Sequence, residues 1–414
     1  MRISIILSGY PVFSETFIAR EILGLERCGY DLQISALGYW PLCSRNTIHD
    51  AIAAKAVHLS LLNPANWLRL VQAWRALRHN RRWQDVKVLL EEDRRLIGGF
   101  SALMALVKAM LWWKLNQVSP PAVIYAHWIN RPASVARYAA CLAGLPWCCS
   151  AHARDVWRAN PDTLRNRLAS ADQVVTCNSQ AYGILHRFAA DPAKLHLSHH
   201  GIDFSLFPAP GAAQPGSNRF ATKGTVIILS VGRAVPKKGF DILLRALAKL
   251  PSDIDWRMEH AGGGVGQLRL KLLAFWLGVA ERVTWLGPLP SKVLLERYRQ
   301  ADIFVLASLV DRGGDQDGLP NVIVEASSQA LPCVSTRLPS IEDLIVDGSN
   351  GLLVAPGDAS GLAVAIEKLA KDPALRRKLG SAAEHRVRER FNCETSIKQV
   401  CRLLEASVCR GAHQ

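Results

Sequence analysis

The stretch DIFVLASLVDRGGDQDGLPNVIVEASSQALPCVST, from Asp302 to Thr336, decides the fold class of this chain. It contains an apolar run that ends at Ser308, a polar glycine-rich segment, a helical stretch and a second apolar run, PCVST. Pro320 suits the first helical position, where its missing N–H has no cost, so VIVEASSQAL is predicted to continue as a helix. Two buried strands joined by a helix form the unit of a parallel sheet. The stretch therefore predicts an α/β fold.

The same alternation continues along the whole chain and predicts two Rossmann-like doubly wound domains that face a cleft. We expect an N-terminal domain over 1–206, a linker rich in Pro, Gly and Ala over 207–220, and a second domain over 221–390. The predicted strands are RISIILSG, DLQISALG, AVIYAHW, PWCCSAH, QVVTCN, KLHLSHHG, TVIILSVG, DIDWRMEHAG, RVTWLG, DIFVLAS, PCVST and NGLLVAP.

Length and composition exclude several classes of protein. A chain of 414 residues, 49% hydrophobic and 21% charged, is a multidomain globular protein rather than a disordered or fibrous one. The net charge of +15 favours anionic partners such as nucleotide phosphates or acidic lipid headgroups. No nucleic-acid motif accompanies that charge, so no nucleic-acid partner is expected.

The apolar segments predict a cytoplasmic protein. The apolar run in MRISIILSGYP is too short for a signal peptide, so the segment is interpreted as a first strand. LIGGFSALMALVKAMLWW, from Leu96 to Trp113, is interrupted by Lys108 and follows EEDRR, which favours a core or interfacial helix over a membrane span.

Tryptophan and arginine are concentrated between Asn63 and Leu90. Helical spacing places apolar residues near one face with arginines around it, which indicates an interfacial helix. A core helix with a solvated basic face fits the same pattern, and both interpretations stay open. The apolar residues are Leu68, Leu70, Val71 and Trp74, and the arginines are Arg75, Arg78, Arg81 and Arg82.

Two loops after predicted strands carry cations or glycines. In TVIILSVGRAVPKKGFDILLRAL, Arg233, Lys237 and Lys238 precede a helix that opens near Gly239, which predicts a phosphate site; the alternative is a solvated basic loop. In HAGGGVGQLRL, Gly262 and Gly264 lack the third glycine of a dinucleotide fingerprint, so a nicotinamide site is not favoured.

Two carboxylates complete the pattern. Asp317 precedes the predicted helix that contains Glu325, and the free amides at the helix start suit phosphate or sugar hydroxyls. The pair predicts a site for a polyol and a phosphate. The alternative is that Asp317 caps the helix and Glu325 lies on the surface.

Three motifs resemble the donor domain of family 4 retaining glycosyltransferases, which have the GT-B fold. They are VGRAVPKKGFDILLRAL, VTWLGPLPSKVLLERYRQADIFVLAS and DGLPNVIVEASSQALPCVST, the last followed by NGLLVAPGD. In the first half GYPVFSETFIAREI, SAHARDVW and HHGID are similar to that family's loop, histidine and interdomain segments. The SETFI start resembles enzymes of exopolysaccharide, colanic-acid-like and lipopolysaccharide assembly.

The resemblance implies roles for individual residues. The residues expected to be catalytic are His152, Arg233, Lys238 and Asp317. The loop expected between the phosphates and the acceptor contains Ser14, Glu15 and Thr16. Residues 391–414 are expected to form a helix that crosses back to the first domain. The donor-binding residues would be Gly232, Arg233, Lys238, Gly262, Leu286, Asp317, Gly318, Leu319, Pro320, Asn321 and Glu325.

The expected activity is transfer of a sugar from a nucleotide-diphosphate sugar to a saccharide acceptor, lipid-linked or oligosaccharide, with retention of configuration. No metal or cofactor is expected, and the basic Trp-rich surface suits the inner face of an anionic bacterial membrane. Asp317 stands where the family usually has Glu, and Ser340–Asp343 depart from its Gly-Ile-Pro-Glu. These departures leave the choice of sugar open.

Three other hypotheses remain. A metal-dependent transferase could use the triplets Asp253–Asp255 or Asp315–Asp317 to hold a cation on the diphosphate. An epimerase of the same fold would release a modified nucleotide-sugar without an acceptor. A non-catalytic protein could bind nucleotide-sugar or lipid within a polysaccharide assembly complex.

Overall fold

The computed structural model describes residues 1–12, 15–38, 47–211 and 224–411. The chain forms two compact units. The first comprises residues 1–199 with 393–414, and the second comprises residues 200–392. Each unit is a parallel sheet covered by helices, so the predicted α/β fold with two Rossmann-like units is confirmed.

The first unit contains a seven-stranded sheet in the order β3-β2-β1-β4-β5-β6-β7, in which every pair of neighbours is parallel. The order reverses between β1 and β4, which marks the switch point where ligands bind in open α/β sheets. The strands are β1 Arg2–Gly9, β2 Asp31–Gly38, β3 Ala56–His58, β4 Val123–His127, β5 Trp147–Ala151, β6 Gln173–Thr176 and β7 Leu195–Leu197.

Helices cover both faces of this sheet, because consecutive residues of a strand point to opposite sides. Ile5 packs in one layer with Val400 and Leu404 of the last helix, whereas Ile6 packs in the other layer with Leu106. The helices of this unit are α1 Thr16–Arg27, α2 Thr47–Asp50, α3 Pro64–Leu77, α4 Trp83–Ile97, α5 Gly99–Leu115, α6 Arg131–Ala143, α7 Ala153–Trp157, α8 Pro161–Ser170, α9 Ser179–Phe188 and, from the end of the chain, α17 Cys393–Gly411.

The second unit contains a six-stranded sheet in the order β10-β9-β8-β11-β12-β13. Its strands are β8 Val226–Val231, β9 Trp256–Ala261, β10 Val283–Gly287, β11 Ile303–Leu306, β12 Cys333–Thr336 and β13 Leu352–Val354. Its helices are α10 Phe240–Leu247, α11 Gln267–Trp276, α12 Ser291–Gln300, α13 Asn321–Ser328, α14 Pro339–Glu342, α15 Ala359–Lys371 and α16 Pro373–Arg390.

Three details differ from the sequence predictions. Strand β3 was not predicted, because it is only three residues long and lies at the sheet edge. The first boundary falls at His199 rather than 206, since Ile202 and Phe207 are buried in the core of the second unit. Part of the predicted linker, 212–220, lies outside the described residues. Pro320 caps α13 in an extended conformation instead of starting the helix.

The stretch Leu96–Trp113 lies in α4 and α5, and it supplies several buried core residues. Within the described part of the chain, no helix combines the length and the apolar character that a membrane crossing requires.

Candidate functional site

The loop between β8 and α10 is shaped by one glycine. Gly239 adopts a left-handed conformation with φ of 62°, directly before α10, and a β-carbon there would lie 1.8 Å from the carbonyl oxygen of Ala307. Only glycine therefore fits this position. The preceding short helical turn, Pro236–Lys238, is held against the end of β11, where the Leu309 N–H donates to the Lys237 carbonyl oxygen at 2.9 Å.

The loops after β8 and β9 also meet at glycines. The N–H of Gly232 donates to the Ala261 carbonyl oxygen at 2.9 Å, and a β-carbon on Gly262 would lie 2.0 Å from the Gly232 carbonyl oxygen. Close contact between the two backbones places Gly232 beside the aliphatic part of Lys238. Arg233, the next residue, extends an exposed side chain from the same loop.

Asp317 is held by the lysines of this loop. Its carboxylate lies 2.8 Å from Nζ of Lys238 and 3.4 Å from Nζ of Lys237, and Ser308 Oγ donates to it at 3.3 Å. Burial alone would raise the pKa of Asp317, but the charges of Lys238 and Lys237 outweigh burial and hold the pKa below its usual value. Both lysine side chains are largely buried, so this is not a solvated basic loop.

The structure argues against the helix-cap hypothesis for Asp317. Helix α13 begins at Asn321 with no side-chain cap, so Asp317 does not cap it. The Asp317 backbone is fixed instead by Ser340 Oγ, which donates to its carbonyl oxygen at 3.1 Å. Gly318 and Leu319 follow in the short segment that leads to the helix start.

Glu325 is buried rather than on the surface. It is 7% exposed on α13 and accepts a hydrogen bond from the Tyr298 hydroxyl of α12 at 3.1 Å. Leu286, another predicted donor-site residue, lies in β10 and packs partly buried against the core. Tyr298 was not predicted from the sequence, because a tyrosine on an amphipathic helix is usually a core residue.

The two Asp-x-Asp triplets have different surroundings. Asp255 precedes β9, at the opposite edge of the sheet from the lysine loop, and binds Thr225; Asp253 pairs with Lys371 at 3.2 Å. Asp315 and Asp317 share Lys237, at 3.2 Å and 3.4 Å. The second triplet therefore has its charge balanced by lysine.

In the first unit the predicted loop residues lie before and at the start of α1. Ser14 falls outside the described residues, Glu15 immediately precedes the helix and Thr16 is its first residue. Burial raises the pKa of Glu15 to about 7.

His152 follows β5 at the carboxyl edge of the first sheet and is 3% exposed. The carboxylate of Asp155 accepts the backbone N–H groups of both His152 and Ile129, and so ties the loops after β4 and β5 together. Burial raises the pKa of Asp155 to about 7, and these backbone donors lower it by a smaller amount.

Aromatic rings and a second histidine surround His152. The ring centroids of Phe17 and Trp128 lie 5.0 Å and 4.6 Å from that of His152, and His127 Nδ1 lies 3.3 Å from His152 Nε2. His127, Trp128 and Glu21 were not predicted from the sequence. The available signal was AHWIN, which places a histidine and a tryptophan at the end of a strand neighbouring that of His152.

Comparison with known proteins identifies the second unit. The profile of the family described as Glycosyl transferases group 1 matches residues 217–386.

Curated relatives extend this likeness. A GDP-mannose-dependent alpha-(1-6)-phosphatidylinositol monomannoside mannosyltransferase of Mycolicibacterium smegmatis is 29% identical over 62% of this chain and 69% of its own length. WcaL of Salmonella typhimurium, assigned as a colanic acid biosynthesis glycosyltransferase, is 23% identical over 98% of this chain and its whole length. The lipopolysaccharide core biosynthesis glycosyltransferase LpsE of Rhizobium meliloti is 34% identical over 43% of this chain and 49% of its own.

Solved structures share the fold over nearly the whole chain. Anabaena HepE in complex with UDP and glucose matches with a TM-score of 0.70 and 17% identity, covering 98% of this chain and 100% of that one. A glycosyltransferase from Rickettsia africae matches with a TM-score of 0.74 and 16% identity, over 98% of each chain. Residues 217–386 therefore match the glycosyltransferase group 1 model, and the chain shares its fold with these solved structures.

Proposed function

We propose that this chain transfers a sugar from a nucleotide-diphosphate sugar to a saccharide acceptor. The observation that carries the proposal is the arrangement of Lys238, Asp317 and the Gly239 helix start at the carboxyl edge of the second sheet. Cations beside a helix N-terminus suit a diphosphate, and a buried ionised carboxylate suits sugar hydroxyls.

Each part of this site has a role in the transfer. Lys238 and Arg233 hold the diphosphate and stabilise the negative charge that grows on it as the sugar leaves. Lys238 can do this while it stays on Asp317, because an ammonium group has three donors. Asp317 accepts hydrogen bonds from the donor sugar, and Glu325 accepts them from the ribose.

The same charges support a reaction without a metal ion. Lysine and arginine supply the positive charge that a cation provides in metal-dependent transferases, and Lys237 and Lys238 together balance the charges of Asp315 and Asp317. We propose retention of configuration by front-face attack, in which the leaving phosphate takes the proton of the acceptor hydroxyl. The anomeric configuration of the product, determined by NMR coupling constants, tests retention.

The activities assigned to the relatives support a role for this protein in bacterial cell-surface polysaccharide synthesis. The Salmonella and Rhizobium relatives are assigned to colanic acid and lipopolysaccharide core synthesis, and the Mycolicibacterium relative acts on a phosphatidylinositol mannoside. A lipid-linked saccharide is accordingly the proposed acceptor, with the protein acting at the inner face of the membrane.

Helix α3 supports that location. Trp67, Leu68, Val71 and Trp74 share one face by helical spacing and are 58%, 64%, 47% and 51% exposed, while Ala73 and the opposite face are buried. Arg78 lies over the Trp74 ring at 5.5 Å. The sequence contains no acidic residue between Asp50 and Asp85, so an anionic bilayer complements this face.

The membrane proposal is tested with vesicles. We expect sedimentation of the protein with phosphatidylglycerol vesicles, weaker binding to phosphatidylcholine vesicles, and loss of binding when Trp67 and Trp74 are both replaced by alanine. Replacing Phe275 and Trp276, exposed aromatic residues of the second unit, is the matched control. Equal binding by the Trp67/Trp74 double variant and the unaltered protein would contradict the proposal.

The transfer proposal is tested by a panel of nucleotides and nucleotide-sugars. A ligand that binds the folded state raises the melting temperature more the tighter it binds, so the panel identifies base and sugar. The best donor is then incubated with and without a saccharide acceptor, in the presence and absence of EDTA. We expect a new glycoside only with acceptor and no loss with EDTA. A modified donor without acceptor would indicate the epimerase, and loss with EDTA would exclude the metal-free reaction.

A further inference from the structure

A cavity of about 640 Å³ lies at the amino edge of the first sheet and is called the amino-edge cavity below. Its walls come from the turn between α3 and α4, the end of α5, the segment before β4 and the end of α6, all within the first unit. His152 lies at the other end of the same sheet, where it follows β5. The volume is that of a small-molecule site, and none of the described residues proposed for sugar transfer lines it.

Two arginines of the basic stretch line the amino-edge cavity. Helical spacing predicted Arg81 and Arg82 around the apolar face of α3, but α3 ends at Leu77 and both arginines lie in the turn that follows it. A β-carbon on Gly144 would lie 1.6 Å from a terminal nitrogen of Arg82, so the guanidinium rests directly against that glycine. Within the described ranges, neither guanidinium takes part in an ion pair or a hydrogen bond. Two cations in this state suit an anionic group.

The start of α4 adds to this preference for an anion. The helix begins at Trp83 with no side-chain cap, and Asn80 Oδ1 accepts the N–H of Arg82 at 2.8 Å, which fixes the turn before it. An uncapped helix start offers N–H groups and the positive end of the helix dipole. Asp85, in the first turn, also lines the cavity, and together with Arg81 and Arg82 it gives the lining a net charge of +1.

Amide groups of the lining suit hydroxyls rather than a second anion. Asn116, at the end of α5, is 5% exposed, and its Nδ2 donates to the Trp112 carbonyl oxygen at 2.8 Å. Its Oδ1 has no donor among the described residues. An ionised phosphate oxygen only accepts hydrogen bonds, whereas a hydroxyl group donates one. The amide of Gln117 and the half-buried indole ring of Trp113 complete a wall suited to a polyol.

The position of the cavity indicates what its ligand is attached to. Arg81 lies three residues beyond Arg78, whose guanidinium covers the Trp74 ring on the exposed face of α3. The cavity thus follows directly on the helix proposed to contact an anionic bilayer, whose lipids carry phosphate in their headgroups.

We propose that the amino-edge cavity binds the headgroup of a phospholipid that carries hydroxyl groups, with glycerol phosphate as the chemical class. Arg81, Arg82 and the start of α4 hold the phosphate, and the amides of Asn116 and Gln117 bind the hydroxyls. The proposal rests on the proposed function in one respect, namely that α3 lies on a membrane. Binding of a soluble headgroup by the cavity does not depend on sugar transfer.

The first experiment titrates the full chain, labelled with ¹⁵N-tryptophan, with glycerol phosphate. The indole signal of Trp113 is assigned by its loss in Trp113→Phe, and its shift reports occupation of the cavity. Ethyl phosphate, which has the same charge and no hydroxyl group, is the comparison on the unaltered protein. We expect both compounds to shift the Trp113 signal, with glycerol phosphate binding about fivefold more tightly because its hydroxyls form additional hydrogen bonds.

Arginine variants test the phosphate contacts. Arg81→Gln combined with Arg82→Gln should weaken binding of glycerol phosphate about tenfold. Arg94→Gln combined with Arg95→Gln, which removes two exposed partners of Glu91 near the other end of α4, is the matched control and should bind as the unaltered protein does. An unshifted Trp113 signal, equal affinity for the two phosphates, or equal affinity in the two double variants would overturn the proposal.

Vesicles distinguish a lipid headgroup from a free phosphorylated polyol. Phosphatidylglycerol and phosphatidylethanol carry the same charge, and only the first has headgroup hydroxyls. We expect about fivefold tighter binding to phosphatidylglycerol vesicles, and loss of this preference in the Arg81/Arg82 double variant. Equal binding to the two lipids, together with a Trp113 shift by glycerol phosphate, would assign the cavity to a free compound and overturn the lipid proposal. A lipid preference in a protein that transfers no sugar with any donor would contradict the proposed transfer and leave the headgroup site established.

Discussion

The carboxyl edges of the two sheets bury acidic side chains in opposite ways. At the first edge burial raises the pKa values of Glu15, Glu21 and Asp155 to about 7. At the second edge Lys237 and Lys238 hold the pKa of Asp317 below its usual value despite burial. The difference comes from the partners, which are histidine, tyrosine and backbone groups at the first edge and ammonium groups at the second.

This difference suits two separate tasks. Groups with pKa values near 7 gain and lose protons at ordinary pH, so the first edge can change its charge near neutrality. A carboxylate fixed between two lysines stays ionised, so the second edge suits a ligand with permanent charge such as a diphosphate. The four predictions that follow alter one edge at a time.

The largest effect is expected for Gly239→Ala, which should disrupt the second edge alone. The new methyl group would overlap the Ala307 carbonyl oxygen, and the left-handed backbone disfavours alanine. We expect a loss of about 4 kcal/mol in the free energy of unfolding, measured by urea denaturation, together with loss of nucleotide binding. Gly278→Ala is the matched control, since Gly278 has a φ of 71° but open space around it, and should cost only about 1 kcal/mol. Equal losses in the two variants would show that crowding against Ala307 is unimportant.

Glu21→Gln should stabilise the protein at pH 8. A carboxyl whose pKa is higher in the folded than in the unfolded state makes folding less favourable as pH rises through the interval from 4.5 to about 7. Above that interval the cost is about 3 kcal/mol, and glutamine removes it. Urea unfolding at pH 8 should show the gain, and unfolding at pH 4 should show almost none. If Glu21→Gln were less stable than the unaltered protein at pH 8, contacts in the folded state would have to offset the cost of burying the ionised Glu21 carboxylate.

Lys238→Met should reduce sugar transfer about 100-fold while it preserves the aliphatic contact with Gly232. The variant removes the cation expected on the diphosphate and also leaves Asp317 with Lys237 as its remaining lysine. Initial rates with saturating acceptor measure the effect. Lys249→Met, which removes an exposed ammonium group that binds Ser360, is the control and should stay within threefold of the unaltered protein. If Lys238→Met were as active as Lys249→Met, Lys238 would not take part in donor binding.

The strands and the second edge were largely predictable from the sequence. Buried parallel strands are continuous apolar runs, so each strand that was predicted contains an observed one, and only β3, too short to form such a run, was missed. The lysine loop and Asp317 were predicted because each lies in the loop that follows a strand, and parallel strands bring their carboxyl ends to one edge.

The first edge was not predictable in the same way. Glu21 lies on the buried face of α1, where an acid in an apolar pattern gives no local signal, and His127 resembles an ordinary core residue. Their relation to His152 depends on which strands are neighbours, namely β1, β4 and β5, which is a property of the sheet order rather than of any segment. The conformation of Trp128 likewise arises from tertiary contacts.

The smallest effect is expected at Asp317, on the second edge. Asp317→Glu adds one methylene and keeps the acid, so transfer should stay within about threefold. Asp317→Asn removes the charge between Lys237 and Lys238, and transfer should fall about tenfold, chiefly in kcat, because the acceptor strength toward the sugar is lost while the lysines stay on the diphosphate. Because the pKa of Asp317 is lowered, its ion pair contributes stability above pH 3.8 and loses it only as pH falls through the folded pKa. The free energies of unfolding of Asp317→Glu and Asp317→Asn should therefore differ at pH 7 and converge in acid. Full activity of Asp317→Asn would contradict a direct role of the carboxylate toward the sugar. The carboxylate would then serve only to position the lysines, and the amide of asparagine would position them equally well.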